Sequence, residues 1–518
     1  MRTPHRTTLL RLGVAACVFA GLCSAFPEQA WHWDEFQLAY AVRDFDLARH
    51  QPHPPGYYLF VVAGRALDAL LGDPFLALRC VSGLAIAAFA SMAIGAPAAG
   101  TTPIARGLWV AAAAGFGLAS PLTQRFGVAA LTYAAEGAIW MGWLLALGQR
   151  PRARGRLVLA ATAGLAGGVR PTLALWAGAM LLFDVARRRD WRSLAGLGLA
   201  GAAGGALWVI PLLWESGGIA AYRADAGPLA VGNIWNGSVF VAGFDGWRTR
   251  LADMGLDLLT ALGGLVAVVV AALALRVRKR AAEPVAYDVL LQGAALAFGF
   301  YALVIYDTAG YLMAVVLPLA AWALRSAAAS AANWPARNQA AAAGAALVLA
   351  VVGTLAPDDR IDPHYAEHAR LLDARFAPVR AGFDPRSTLL ITSREYWDYA
   401  LRHVAHALPE FTTLQLAKDP YFTISNAAQP YLSARQRRIA AVGPDPLDLA
   451  TLTPSGRLAQ VVYMVPFDAQ EFIARACGEL AEALQTSSDE TLPVLRLRPG
   501  WRIEARNQRL HCARSDAR

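Results

Sequence analysis

The sequence predicts a polytopic α-helical membrane protein with a soluble C-terminal α/β domain. Three observations carry that expectation. The chain of 518 residues is 56% hydrophobic and only 16% charged, with a mean hydropathy of +0.37, whereas soluble domains carry about a quarter charged residues. Apolar stretches of roughly 18 to 22 residues recur along it, each long enough to cross a ~30 Å hydrocarbon core. Basic residues gather in the short segments between them: Arg2, Arg6 and Arg11; Arg150, Arg152, Arg154 and Arg156; Arg187, Arg188, Arg189 and Arg192; Arg276, Arg278, Lys279 and Arg280. The net charge of +9 belongs to the apolar part, because the residues from Asp358 onward carry 20 basic and 20 acidic side chains. That distribution is a positive-inside topology signal, and nothing in it calls for nucleic acid.

With the basic clusters on the cytoplasmic side, eleven spans are expected, near 8–26, 75–97, 106–121, 129–149, 155–169, 171–187, 193–214, 256–276, 287–305, 309–325 and 338–355. Small residues at Cys23-Ser24-Ala25 would suit a cleaved signal peptide, but the many later spans favour a retained first helix. Residues 56–71 carry Arg65 and Asp68 and read as an amphipathic helix lying on the surface. Glu215 to Gly255 reads as a large outer loop in which Tyr222, Arg223, Trp235, Trp247, Arg248 and Arg250 mix rings with guanidinium groups. Interfacial anchoring and sugar or phosphate contact are both open for it.

An odd number of spans leaves the N-terminus cytoplasmic and the tail outside. The division is therefore residues 1–355 for the membrane domain, with an outer loop at 27–73, and 356–518 for the soluble domain. In the tail, Ser387–Thr392, Thr412–Leu416 and Gln460–Val465 read as strands. Helices are expected over Glu395–Leu408 and from the last strand through Leu484. Cys477 and Cys512 could pair in an oxidising compartment. Cys17, Cys23 and Cys80 read as packing residues.

The segment with the most chemistry follows the first span. It runs Trp31-His32-Trp33-Asp34-Glu35-Phe36, with His53-Pro54-Pro55-Gly56-Tyr57-Tyr58 downstream. Two adjacent carboxylates just outside a bilayer are costly unless hydrated or paired, so they point to chemistry at the membrane surface. Trp31, Trp33, Phe36 and Tyr40 suit the headgroup layer. Acidic pairs can bind a divalent ion through oxygen, but no dedicated ligand set is present and none is required.

The order of Asp34-Glu35, then the Pro-Pro motif, then Leu78-Arg79 entering the second span resembles the GT-C glycosyltransferases. Within these it is most similar to bacterial relatives of protein O-mannosyltransferases and of the aminoarabinose transferase acting on lipid A. The similarity covers about residues 8–325, is strongest from Trp33 to Arg79, and leaves the tail outside. The resemblance implies a multi-pass enzyme of a bacterial inner membrane, working on its outer face. It would move a sugar, with inversion, from a polyprenyl-phosphate donor to a glycan, lipid or protein acceptor, and it would need no cofactor. A flippase of a lipid-linked intermediate and a non-catalytic envelope scaffold are the alternatives. A transporter should place its ionisable groups near the bilayer midplane, whereas most here fall in outer loops.

The resemblance makes Asp34 the base that takes the acceptor proton, with Glu35 orienting the acceptor or a basic partner. The bland alternative is that both cap a surface helix beginning near Phe36. His53 would contact the donor phosphate beside Tyr57, or would be a wetted loop residue ahead of a rigid Pro-Pro start. The aminoarabinose transferases carry Lys at that point. Glu136, inside the fourth span, would face the same cavity, or would pair with Arg79 or Arg125. Arg170, between Gly167-Gly168 and Pro171-Thr172, offers a fork to phosphate, or snorkels at the interface. Tyr306-Asp307 and Tyr311 bound another outer loop, which resembles the family's aromatic cluster but lacks its Arg. Arg79, Glu136, Arg170 and Tyr311 thus join His53 and Tyr57 as expected substrate-binding residues.

Overall fold

The computed structural model describes residues 4–27, 30–93, 101–235, 237–279, 288–352, 361, 363–393, 399–416, 447–464, 484–486, 494–497, 500–506 and 509–514. The chain divides into two compact units. The first comprises Met1–Glu28, Leu38–Leu47 and Gln51–Pro363; the second comprises Gln29–Gln37, Ala48–His50 and His364–Arg518.

The first unit is helical. In chain order it holds α1 (Pro4–Cys23), most of α2 (Trp33–Arg43), α3 (Tyr58–Leu71), α4 (Pro74–Ala93), α5 (Pro103–Ala119), α6 (Pro121–Phe126), α7 (Tyr133–Gly148), α8 (Ala153–Ala166) and α9 (Pro171–Arg188). Then come α10 (Leu194–Glu215), α11 (Ile219–Leu229), α12 (Val239–Leu262), α13 (Leu265–Lys279), α14 (Asp288–Leu303), α15 (Met313–Ala331) and α16 (Ala336–Val352). Proline opens α4, α5, α6 and α9, where its missing N–H costs nothing. Thr102 caps α5 by accepting from the Ala105 amide at 3.3 Å. Helix α3 stops at Gly72, whose left-handed conformation turns its N–H back to Asp68 O.

Helices α4, α7 and α15 pack together at the centre, each with eleven or twelve buried residues. Trp140 of α7, Trp176 of α9 and Tyr301 of α14 are fully buried in ring-to-ring contact, with centroids 5.6 Å apart for the two indoles and 5.3 Å for Trp176 and Tyr301. Helices α8 and α10 approach backbone to backbone. A Cβ at Gly164 would lie 1.9 Å from Gly201 O, and one at Gly204 equally close to Ala161 O, the small-residue packing of membrane helices. Leu199, Leu207, Ile210 and Trp214 of α10 instead point outward, exposed, as a hydrocarbon-facing surface would have them. Among the described residues, Pro74–Ala93, Trp191–Glu215 and Ala309–Ala331 are each long and apolar enough to cross a bilayer.

The structure departs from the expected pattern in several places. Residues 256–276 do not form one straight span, because α12 and α13 meet at a bend of 99°. Gly263 there adopts φ 50°, ψ −130°, which residues with a side chain avoid. A Cβ at Gly264 would meet the Leu349 carbonyl oxygen at 2.3 Å, so two adjacent glycines make the corner. The segment read as a loop from Glu215 to Gly255 is largely folded, into α11, a π-helical turn at Ala230–Trp235 and the first half of α12. Residues expected as a span from 309 begin with a 3-10 turn, Ala309–Leu312, before α15.

The second unit holds α17 (Pro363–Gly382), β1 (Thr388–Ser393), α18 (Tyr399–Ala407), β2 (Thr412–Leu416), β3 (Leu447–Asp448), β4 (Gln460–Tyr463), β5 (Leu484–Thr486), β6 (Val494–Leu497), β7 (Trp501–Arg506) and β8 (Arg509–Arg514). One sheet runs β2-β1-β4-β6-β5 and a second runs β3-β7-β8. Strand β1 lies parallel to both neighbours, with Leu390 opposite Thr413 and Val462. Its Leu389 and Leu390 are buried with Val461 and Val462, as expected of a central parallel strand. Helix α17 was not expected, because its sequence is polar with no clear apolar stripe. Leu484 opens a strand rather than closing a helix. The intervening helix and Cys477 lie outside the described residues, so the expected helix and the pairing with Cys512 do as well.

Candidate functional site

In the first unit, five segments far apart in sequence bring a buried ionic cluster together. Glu136 lies in the first turn of α7, where the helix N-terminus favours a carboxylate, and is 0% exposed. Tyr301 of α14 donates its hydroxyl to both carboxylate oxygens at 3.0 and 3.1 Å. The hydroxyl of Thr172, on α9, donates to Glu136 Oε1. Arg170 brings Nε to 3.4 Å from Glu136 Oε2 and donates Nη1 to Thr132 Oγ1 at 3.4 Å. A buried pair of this kind holds only when further hydrogen bonds satisfy both partners, which Tyr301, Thr172 and Thr132 do.

Three tyrosine rings enclose the Arg170 guanidinium, with Tyr133 at 4.6 Å, Tyr311 at 4.8 Å and Tyr57 at 5.6 Å from their centroids. A desolvated cation over a ring gains about 0.5–2 kcal/mol. The Tyr311 ring also lies 4.7 Å from Tyr301, tilted to it, and 5.3 Å from Tyr133, edge to face. Among the described residues no group accepts from Nη2 of Arg170. The cluster therefore holds a cation with one unspent donor edge.

The loop of the Pro-Pro motif supplies the cluster's third side. Gly56 has φ 101° and Tyr57 sits in the left-handed region at φ 43°, ψ 41°, which costs a non-glycine residue about 1–3 kcal/mol. The His53 Nε2 and Tyr57 hydroxyl lie 3.0 Å apart. Helix α3 is pinned to the turn before Arg170 by Leu59 N–H donating to Gly168 O at 2.8 Å. A Cβ at Gly168 would fall 2.7 Å from Leu59 and from Trp208, so the glycine is what permits this approach. At the far side of α3, Glu215 accepts from Tyr58 at 2.8 Å and from both Arg65 terminal nitrogens at 3.0 and 2.9 Å.

Of the residues expected from sequence, His53, Tyr57, Glu136, Arg170 and Tyr311 meet here. Glu136 pairs with Arg170, not with Arg79 or Arg125. Arg170 is 6% exposed and encased in rings, so it is not a snorkelling interfacial residue. Arg79 instead donates Nη1 to Pro27 O at 2.6 Å and lies over Phe75, where it ties α4 to the end of α1. Tyr306 donates to the Asp257 carboxylate, and Tyr222 packs against Leu47, Tyr58 and Leu212. Thr132, Tyr133, Thr172 and Tyr301 were not anticipated. Tyr133 and Thr172 adjoin Glu136 and Arg170 closely enough to have been suspected; nothing in the sequence distinguishes Tyr301.

In the second unit, the acidic turn is built from local contacts. Helix α2 begins at Trp33, not near Phe36. Glu35 is 0% exposed, and its Oε1 accepts from the amides of Trp31 at 2.9 Å and His32 at 3.2 Å. A first-turn glutamate reaching back this way is the capping geometry. Asp34 donates its amide to His32 Nδ1 at 3.2 Å, so that nitrogen carries no proton for the Asp34 carboxylate, which lies 3.9 Å away and stays 14% exposed. Phe36, fully buried, lies 5.4 and 5.6 Å from the rings of His403 and His406 on α18. His403 in turn meets Phe376 of α17 at 5.1 Å and Asp373 at 3.1 Å. Among the described residues there is no cluster of three His, Cys, Asp or Glu side chains able to hold a metal ion.

No family model and no curated protein matches the sequence. By structure, the chain is similar to ArnT from Cupriavidus metallidurans in its crystal structure bound to undecaprenyl phosphate, with a TM-score of 0.52 and 13% identity over 95% of this chain and 98% of that one. The apo crystal structure of the same protein gives a TM-score of 0.52 and 15% identity, covering 94% and 97%. The two chains share a fold.

Proposed function

We propose that this chain, with the fold of ArnT, is a GT-C membrane glycosyltransferase that takes a sugar from a polyprenyl-phosphate donor. The observation that carries the reading is the Arg170 cage. A guanidinium in a desolvated aromatic enclosure, neutralised on one edge by Glu136 and unspent on the other, suits one phosphate oxygen. The fold supports the same reading, since the solved structure it resembles holds undecaprenyl phosphate.

In the reaction we infer, Asp34 removes the proton from an acceptor hydroxyl. The acceptor oxygen bonds to the anomeric carbon as the bond from that carbon to the phosphate oxygen breaks on the opposite face, giving inversion. The departing phosphate keeps the bonding electron pair, and Arg170 with His53 stabilises its charge. Glu35 positions Asp34 by fixing the turn from Trp31 to Asp34. Eleven spans, an outer-face acidic turn and location in a bacterial inner membrane belong to this proposal. So does an acceptor that is a glycan, lipid or protein. Arg79 falls outside the proposed machinery.

The test is Asp34→Asn in the full chain. Transfer from a polyprenyl-phosphate sugar should collapse while protein level and membrane insertion persist; undiminished transfer would remove Asp34 from catalysis. Reporter fusions that placed Trp33 to Tyr58 in the cytosol would sink the whole proposal.

A further inference from the structure

A second feature lies at the opposite ends of the same helices from the Arg170 cage. A cleft of about 320 Å³ opens between the C-terminal ends of α7 and α9 and the start of α14. Arg150 and Arg187 line it on one side, Met180 and Phe183 form an apolar wall, and Asp288 and Gln292 of α14 face them. The other charges here neutralise one another. Asp184 lies 3.3 Å from Arg156 and 2.8 Å from Arg188, and Asp190 lies 2.7 Å from Arg156. The Arg156 guanidinium pulls the Asp190 carboxyl below the ordinary carboxylate range, keeping it charged.

Arg150 and Arg187 differ from these. Among the described residues neither has an acceptor, and both are exposed. Among the described residues that line it, the cleft thus offers two unspent guanidinium groups beside the Asp288 carboxylate. Its wall continues onto a hydrocarbon-like surface, since Phe183 and its neighbour Leu182 are 55% and 50% exposed. A soluble anion would have no use for that wall. An apolar ligand would have no use for the arginines.

We propose that this cleft binds an anionic phospholipid with a phosphoglycerol headgroup. Its monoanionic phosphodiester meets Arg150 and Arg187, whose planar forks match phosphate oxygens in pairs. Its glycerol hydroxyls meet Asp288 and Gln292, and the start of an acyl chain lies along Met180 and Phe183. In the proposed topology, on which this placement rests, the arginine-rich segments lie on the cytoplasmic side, where juxtamembrane basic pockets take such headgroups.

The full-length protein in detergent, carrying no sugar donor, provides the test, so its outcome is independent of glycosyl transfer. Phosphatidylglycerol should survive native mass spectrometry on the protein and raise its melting temperature, and phosphatidylcholine should do neither. Arg150→Ala with Arg187→Ala should weaken retention at least tenfold while leaving the lipid-free melting temperature unchanged. Phe183→Ala, on the exposed wall, should weaken it several-fold and serves as the second variant. Equal retention of phosphatidylcholine, or full retention by either variant, would overturn the proposal. Protection by inorganic phosphate or glycerol phosphate equal to that by the lipid would assign the cleft to a soluble anion instead.

Discussion

The Glu136–Arg170 cluster and the Asp34–Glu35 turn each hold carboxylates out of water by different means. In the turn, Glu35 is satisfied by amides three and four residues away. In the cluster, Glu136 is satisfied by Arg170, Thr172 and Tyr301, the last 165 residues distant. Local satisfaction survives small changes elsewhere, because the partners travel together. Long-range satisfaction requires α7, α9 and α14 to be docked, so the cluster reports on the whole bundle.

The largest effect that would separate the two regions comes from unpairing the cluster. Arg170→Met should destabilise the protein by about 3–5 kcal/mol, since it strands a buried carboxylate. Adding Glu136→Leu should restore most of that in a thermal-unfolding measurement. If the double variant were as unstable as the single, the pair would not be the unit that the geometry describes.

The same comparison in the turn predicts a split between its two acids. Asp34→Asn should leave unfolding within about 0.5 kcal/mol of the parent, as for other partly exposed sites, while transfer drops by two orders of magnitude or more. Glu35→Gln should cost about 1–3 kcal/mol of stability by weakening charge-assisted bonds to two buried amides. Its loss of transfer should exceed the loss of folded fraction, because the turn that holds Asp34 loosens, yet fall short of that of Asp34→Asn. Equal stability losses at the two positions would erase the distinction.

A smaller effect tests how the Pro-Pro loop is tied to the cluster. Gly168→Ala pushes a methyl to within 2.7 Å of Leu59 and Trp208 and should cost about 1–3 kcal/mol as overpacking. Reversion by Leu59→Ala would place the clash where the geometry has it.

The smallest concerns Tyr58. Burial, and then its bond to Glu215, push this phenol up to about 12, against about 10 in an unfolded chain. The folded state holds the proton more tightly, so the Tyr58 contribution to stability is complete below pH 10 and is lost as pH rises towards 12. The parent should lose stability over that window more steeply than Tyr58→Phe. Identical pH profiles would remove the Glu215 contact from the account.

Much of the fold is legible from composition and spacing. Apolar length and arginine placement follow from the cost of burying charge in hydrocarbon. The boundaries of α3, α9, α10 and β2 fall within two residues of expectation because Pro171, Gly72 and the polar ends of the apolar runs mark them. The corner at Gly263-Gly264 was hidden, since a glycine pair inside an apolar run reads equally as part of a straight helix.

By itself, then, the sequence determined which residues are costly to bury and which backbone positions need glycine or proline, since both are properties of single residues and their neighbours. Only the tertiary structure decided that Glu136 answers Arg170 rather than Arg79, that Tyr301 completes the pair, and that Phe36 belongs with His403. Each is a contact between segments whose separation along the chain carries no information about their distance in space, and docking helices and strands against one another is what sets that distance.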